Sequence, residues 1–223
     1  VRRSGGTGLS NDTAYGAPGP GRNRGLVSAG PACGASPVKR VFDLVLAIFA
    51  TLVLALPIGL IALVIRLTSP GPALYGSDRV GRGNRIFRMP KFRTMRLGTP
   101  AVATHLLDDP HSYLTPVGGF LRRTSLDELP QLWSIVRGHM SFVGPRPALF
   151  SQDDLIELRT RRGIDALLPG LTGWAQVNGR DELPIPDKVE LDAEYLARRS
   201  FGFDLHILWL TLMRVLRGDG VSH

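Results

Sequence analysis

The strongest feature of the hydrophobic pattern is the run "VFDLVLAIFATLVLALPIGLIALVI", Val41 to Ile65, in which Asp43 is the one charge. About 20 apolar residues span the hydrocarbon of a bilayer, so this run is long enough to cross. Pro57 lies inside it, removes a helix hydrogen bond and bends the axis. The pattern therefore predicts a hydrophobic helix over residues 37–67, broken at Pro57. Both flanks are basic, with Lys39 and Arg40 before the run and Arg66, Arg79, Arg82 and Arg85 after it. A single crossing normally leaves the positive excess on the cytoplasmic side only. The expectation is a re-entrant helix that dips into one leaflet and returns, with a straight transmembrane helix as the alternative reading of the same hydropathy.

Downstream, the periodicity changes. "TSPGPALYGSDRVGRGNRIFRMPKFRTMR" predicts a strand, a glycine-rich turn at Gly81 to Asn84 and a second strand. Residues 97–117 predict a loop, Gly118 to Arg137 two short helices, 151–163 a helix, and Lys188 to Arg199 another. Between them, "GHMSFVGPRPALF" is a glycine and proline cluster, and "PGLTGWAQVNGRDELPIPD" predicts a loop with a short strand. The last element, "FDLHILWLTLMRVLRG", carries Leu205, Leu208, Trp209, Leu212 and Leu216 on one side. Either a core helix or an amphipathic helix lying in a membrane interface explains that stripe. The fold class expected is α/β: mainly helical, with a small β-hairpin or sheet.

Residues 1–36 have no apolar period and are rich in Gly, Pro and Ser, which predicts a disordered N-terminal tail. They hold no apolar core followed by a small-residue cleavage site, so they do not read as a secretory signal. The remaining organisation is one domain over 68–221 behind the hydrophobic segment. A chain of 223 residues suits one domain with a real core. Its formal charge of +8 favours partners that carry phosphate: nucleic acid, an anionic membrane face or nucleotides. The single cysteine, Cys33, excludes an internal disulfide and a cysteine-built metal site, and the five histidines have no zinc-binding spacing. Composition therefore favours hard cations held by carboxylates over zinc.

Candidate chemistry centres on "RRTSLDELPQLW", where Asp127 and Glu128 lie between two arginines and a proline. Ser125, three residues before Glu128, predicts a capping box at a helix start. Adjacent residues on a helix point about 100° apart, so the two carboxylates cannot do one job on one atom. Arg146, between the prolines of "GPRP", has its backbone constrained on both sides and suits bidentate phosphate binding. The basic run Arg79 to Arg96 suits lipid head groups or a phosphorylated ligand. Nucleic acid fits it poorly, because only Phe87 and Phe92 interleave as stacking aromatics.

The order "KFRTM", "LDELPQL", "SFVGPRP", "PGLTGWAQVNGR" behind a proline-broken apolar segment resembles the bacterial sugar transferases known as monotopic phosphoglycosyl transferases, over about residues 38–221. The resemblance implies transfer of sugar 1-phosphate from a UDP-sugar to polyprenyl (undecaprenyl) phosphate, with release of UMP, as the first step of exopolysaccharide, O-antigen or glycan assembly. It implies Asp127 as nucleophile through a covalent phosphosugar intermediate, Glu128 assisting, and Mg²⁺ held by Asp127, Glu128 or both. Arg146 matches the phosphate-binding arginine; Lys91, Arg93 and Arg122 match basic positions around the site; Gln176, Asn178 and Arg180 match substrate-side positions. It further implies an inner-membrane protein with its catalytic domain on the cytoplasmic face, in contact with membrane lipids, and it leaves a homodimer open. One departure is Leu56 before Pro57, where the family often has serine. The expected form is the minimal one, without the extra helices of larger members. The competing reading is a catalytically inert, membrane-anchored adaptor of the same fold.

Overall fold

The structure, a computed structural model, describes residues 36–99, 112–179 and 183–217, which lie in one compact unit. The expected tail, Ser36 apart, falls outside the described residues.

Helix α1 (Pro37–Val53) begins where the sequence provides a cap: the Ser36 hydroxyl accepts from the Lys39 N–H at 3.2 Å, and proline opens the first turn. Helix α2 (Ala55–Thr68) follows at 60° to it. The break lies at Leu54, not at Pro57 as expected. Proline without an N–H cannot bond the Val53 carbonyl one turn back, so the discontinuity appears on its N-terminal side and Pro57 sits in the first turn of α2. The ladder resumes at once, with Leu54 N–H on Ala50 at 2.9 Å and Ile58 N–H on Leu54 at 2.8 Å. Among the described residues no single helix is long and apolar enough to cross a membrane, whereas this bent pair is so by length and composition.

Helix α1 is patterned inside out. Lys39, Asp43 and Ala47, four apart, face inward, while Val41, Val45, Ile48, Phe49 and Leu52 face outward. The buried charges have designed partners. Lys39 Nζ donates to Asp204 at 2.7 Å and to the Val143 carbonyl at 3.1 Å, and Tyr195 donates its hydroxyl to the same aspartate at 2.7 Å. Asp43 accepts from the Ser141 hydroxyl at 2.7 Å and from the Phe142 N–H at 3.4 Å. Arg40 caps a neighbouring helix end through the Ile135 and Val136 carbonyls, at 2.7 and 3.0 Å. Removing one member of such a buried pair costs about 3–5 kcal/mol, because it strands the other charge.

Strands β1 (Leu74–Val80) and β2 (Ile86–Phe92) form an antiparallel hairpin in the register Tyr75 to Lys91 and Val80 to Ile86. Helix α3 (Gly118–Arg123), a 3₁₀ turn (Leu126–Gln131) and α4 (Leu132–Val136) come next. Strand β3 (Ser141–Val143) then pairs in parallel with β4 (Gly170–Thr172), with α5 (Asp153–Arg161) in the connection. Helices α6 (Trp174–Asn178), α7 (Ile185–Arg198) and α8 (Phe201–Arg217) complete the described chain. The architecture is mainly helical with small sheets, as expected. Strand β3 and helix α6 were not predicted, since both are short and depend on partners distant in sequence.

The core joins Ala47 of α1 to Met89, Ile135, Met140, Val143, Leu155, Val189, Tyr195 and Ile207. Helix α8 buries Phe203, Asp204 and Ile207, and of its predicted stripe only Leu208 packs against that core. Leu205, Trp209, Leu212 and Leu216 face outward, so the stripe is not the helix's buried side. Phe42 and Phe201 stack edge to face, 5.2 Å between centroids, where α1 meets α8.

Close backbone packing between β3 and β4 leaves no room for a side chain. A Cβ on Gly170 would lie 2.2 Å from the Gly144 nitrogen, whereas one on Gly59, in α2, meets nothing within 4 Å. Thermal unfolding in detergent should show Gly170→Ala destabilised by about 1–3 kcal/mol or more. Gly59→Ala should be unchanged or more stable, by up to about 1 kcal/mol.

Candidate active site

Three segments bring their polar side chains to one place. The 3₁₀ turn presents Asp127 and Glu128, β2 presents Lys91, and the loop after β3 presents Arg146. Glu128 Oε1 accepts from Lys91 Nζ at 2.9 Å and from Arg146 at 3.1 Å. Those two cations overcome the upward push of burial and hold the Glu128 carboxyl down at about 2. Glu128 is therefore ionised and committed.

Asp127 is placed differently. Among the described residues no side chain hydrogen-bonds or ion-pairs with its carboxylate. Burial raises its pKa above the usual range, and the charge of Glu128 adds to this; Lys91, Arg122 and its own backbone N–H pull the other way. Adjacent carboxylates thus occupy opposite regimes: one neutralised by hydrogen-bonded cations, the other desolvated, more basic and bonded by no described side chain.

The predicted capping box is not formed. Ser125 adopts a left-handed conformation (φ 56°) and makes no side-chain cap bond; its backbone alone is used, the N–H donating to the Arg122 carbonyl at 3.0 Å and the carbonyl accepting from the Glu128 N–H at 3.2 Å. The physical reason is competition, since the Glu128 side chain finds two cations and leaves the backbone. The segment is a helix start, but a six-residue 3₁₀ turn.

Arg122, whose guanidinium lies in the field of Asp127, is oriented through Nε, which donates to the Thr94 hydroxyl at 3.0 Å. Thr94 was missed in the sequence, although it stands inside "KFRTM" next to the basic residues singled out there. Arg93 goes elsewhere. It is 5% exposed and donates to the Ser69 carbonyl at 2.8 Å and to the Pro70 carbonyl, tying down the exit from α2. Expected to bind phosphate, it instead anchors backbone: it stands just past the end of β2, beside the Ser69 and Pro70 carbonyls that the end of α2 leaves to be satisfied.

Gln176 lies on α6 beside Gly173, where a Cβ would meet both its Oε1 and the Gly144 carbonyl, so it neighbours the turn leading to Arg146. Its amide oxygen and nitrogen are buried without a partner among the described residues. Asn178 instead bonds the Trp174 carbonyl of its own helix at 2.8 Å. Arg180 lies outside the described residues. No cluster of three or more His, Cys, Asp or Glu side chains suited to a metal occurs among the described residues.

A desolvated carboxylate framed by fixed cations suits chemistry on phosphate esters. The comparisons agree: residues 34–218 match the model of the bacterial sugar transferases, and the chain belongs to that family. It is 39% identical over 188 residues to UDP-glucose:undecaprenyl-phosphate glucose-1-phosphate transferase of Escherichia coli, covering 79% of this chain and 40% of that protein. It is 39% identical to the uncharacterized sugar transferase EpsL of Bacillus subtilis, over 83% of this chain and 90% of that one. Undecaprenyl-phosphate galactose phosphotransferase of Salmonella typhimurium is 38% identical, over 82% of this chain and 41% of that one. The chain thus spans about two fifths of the length of some relatives and nearly all of another.

The depressed pKa of Glu128 gives an acid-stability signature. An acid lowered on folding stabilises above its unfolded value, near 4.5, and that contribution is lost as pH falls toward 2. In EDTA, the melting temperature of Glu128→Gln should lie below wild type at pH 6, and the gap should narrow as both are taken to pH 3.

Proposed function

We propose that this chain transfers a sugar 1-phosphate from a UDP-sugar to polyprenyl phosphate, with Asp127 as the covalent nucleophile. The observation that carries this reading is the contrast within the dyad: no described side chain bonds Asp127, whose pKa burial raises, while Glu128 is spent on holding Lys91 and Arg146. The donor and acceptor classes come from two of the relatives named above, the Escherichia coli and Salmonella typhimurium proteins, whose names give UDP-glucose and undecaprenyl phosphate.

An Asp127 oxygen attacks the phosphorus bonded to the sugar. The bond from that phosphorus to the bridging oxygen breaks, and UMP leaves with the electron pair. A phosphate oxygen of the polyprenyl acceptor then attacks the same phosphorus and returns Asp127 as carboxylate, giving the polyprenyl diphosphate sugar. Two displacements replace one difficult encounter between two anions. Raised basicity makes Asp127 a better nucleophile than an exposed carboxylate. Lys91, Arg122 and Arg146 offset charge on the phosphoryl oxygens, and Glu128 keeps two of them aimed before substrate arrives.

Mg²⁺ fits this donor set. It is commonly held by one or two carboxylates together with substrate phosphates, and Asp127 with the second oxygen of Glu128 are the groups able to hold it here. It would neutralise charge on the diphosphate.

The membrane reading is likewise proposed. Its support is the bent apolar pair with basic flanks, and the outward Val45, Phe49, Leu52, Leu56, Leu60, Leu63, Trp209 and Leu212 on α1, α2 and α8. So much exposed apolar area calls for a non-aqueous neighbour. In this arrangement α1 and α2 dip into one leaflet, α8 lies in the interface, and the site opens to the cytoplasm.

Intact mass after incubation with Mg²⁺ and a panel of UDP-sugars, without acceptor, should gain a phosphosugar on wild type and nothing on Asp127→Asn. An adduct persisting on the variant would move the nucleophile elsewhere, and Lys91→Met should slow its formation by about 10²–10³-fold. In whole cells, a membrane-impermeant thiol reagent should reach neither Cys33 nor a cysteine added at the C-terminus. Labelling of one alone would replace the re-entrant helix with a crossing one.

A further inference from the structure

Arg146 stands in a loop that can be held almost only through its carbonyls. Pro145 and Pro147 have no N–H to give, so the backbone on either side of the arginine lacks donors. All four consecutive carbonyls are nevertheless bonded. Pro145 accepts from the Gly170 N–H at 2.9 Å and Ala148 from the Val80 N–H at 3.0 Å, both backbone contacts. Those of Arg146 and Pro147 accept from side chains: Arg159 at 2.7 Å and Arg79 at 3.3 Å. The short bond is on the residue that carries the function.

Arg159 is itself held. Its Nε and one terminal nitrogen both donate to Asp192 Oδ2 of α7, at 2.9 and 2.6 Å, leaving the other terminal nitrogen for the Arg146 carbonyl. Asp192 is 1% exposed and the Arg159 side chain 11%. A buried pair of this kind is weak evidence for stability, because desolvation offsets much of the attraction. Its geometry has a different consequence. A planar guanidinium bonds the aspartate along one edge and the carbonyl along another, so the position of α7 is transmitted to the backbone of Arg146 through one rigid group.

We propose that Arg159, fixed by Asp192, is a positioning residue for Arg146: it sets the backbone from which the Arg146 guanidinium reaches Glu128 and, when substrate binds, the diphosphate. This rests on the phosphate-binding role assigned to Arg146 above. Lysine at 159 would keep the charge but not the fork, since an ammonium is a compact point charge without two fixed edges. The loop would then keep its fold through Gly170 and Val80 and lose its aim.

The test is a double-mutant cycle on the full chain in detergent, reading UDP binding by calorimetry in Mg²⁺ alongside melting temperature. Arg159→Lys should weaken UDP about tenfold in the wild-type background and leave it unchanged in Arg146→Ala, because there is then no guanidinium to aim. Asp192→Asn should follow the same pattern. Arg161→Lys, an exposed neighbour on α5 paired with Glu157, should change neither background. A loss of stability shared by both backgrounds would not create that coupling. Equal losses of UDP affinity with and without Arg146 would overturn the inference while leaving the proposed function in place. No weakening by Arg146→Ala, or no UDP binding by wild type, would remove the proposed role of Arg146 and this inference with it.

Discussion

One carboxylate oxygen, Glu128 Oε1, accepts from Lys91 and from Arg146, and this shared acceptor ties together a hairpin, a 3₁₀ turn and a proline-flanked loop. Two cations that would otherwise repel each other are brought to one point by an anion too buried to remain unpaired. Asp127 is the adjacent residue on a tight turn, so it is carried into the same cationic surroundings without being consumed by them. The dyad thereby divides its labour by position alone.

Supporting layers serve the same end. Parallel pairing of β3 with β4 fixes the start of the Arg146 loop, and the glycines at 144, 170 and 173 permit backbone approaches that no Cβ would survive. Behind β3, Asp43 and Lys39 of α1 bond to Ser141, Phe142 and Val143. The helix with the apolar outer face is therefore hydrogen-bonded to the strand that precedes Arg146. The apolar outer face and the candidate site are thus joined by a short physical path, and charge buried in α1 is what connects them.

Much of this was legible beforehand. A 25-residue apolar run with a proline in it announces a bent hydrophobic pair, because hydropathy and a missing N–H are properties of the chain itself. The hairpin follows from the glycine-rich turn signal at Gly81 to Asn84 between two mixed segments, and the dyad, Lys91 and Arg146 from residue types in ordered motifs. Local chemistry nevertheless misled at Ser125, where a serine and a glutamate at capping-box spacing did not cap, and at Arg93, one of several basic side chains in a single run. In both cases a partner far along the chain offered a better bond than the near one.

Residue type, order and hydropathy thus determined by themselves which groups were available: the broken apolar segment, the paired carboxylates, the basic positions and the family they belong to. Only the tertiary structure decided how they were used. It placed the break at Leu54, turned the α8 stripe outward, left Asp127 unengaged while spending Glu128, and put Arg159 and Asp192 behind Arg146. These are outcomes of competition for partners in three dimensions, where burial sets the cost of leaving a polar group unpaired, and sequence spacing carries no record of who wins.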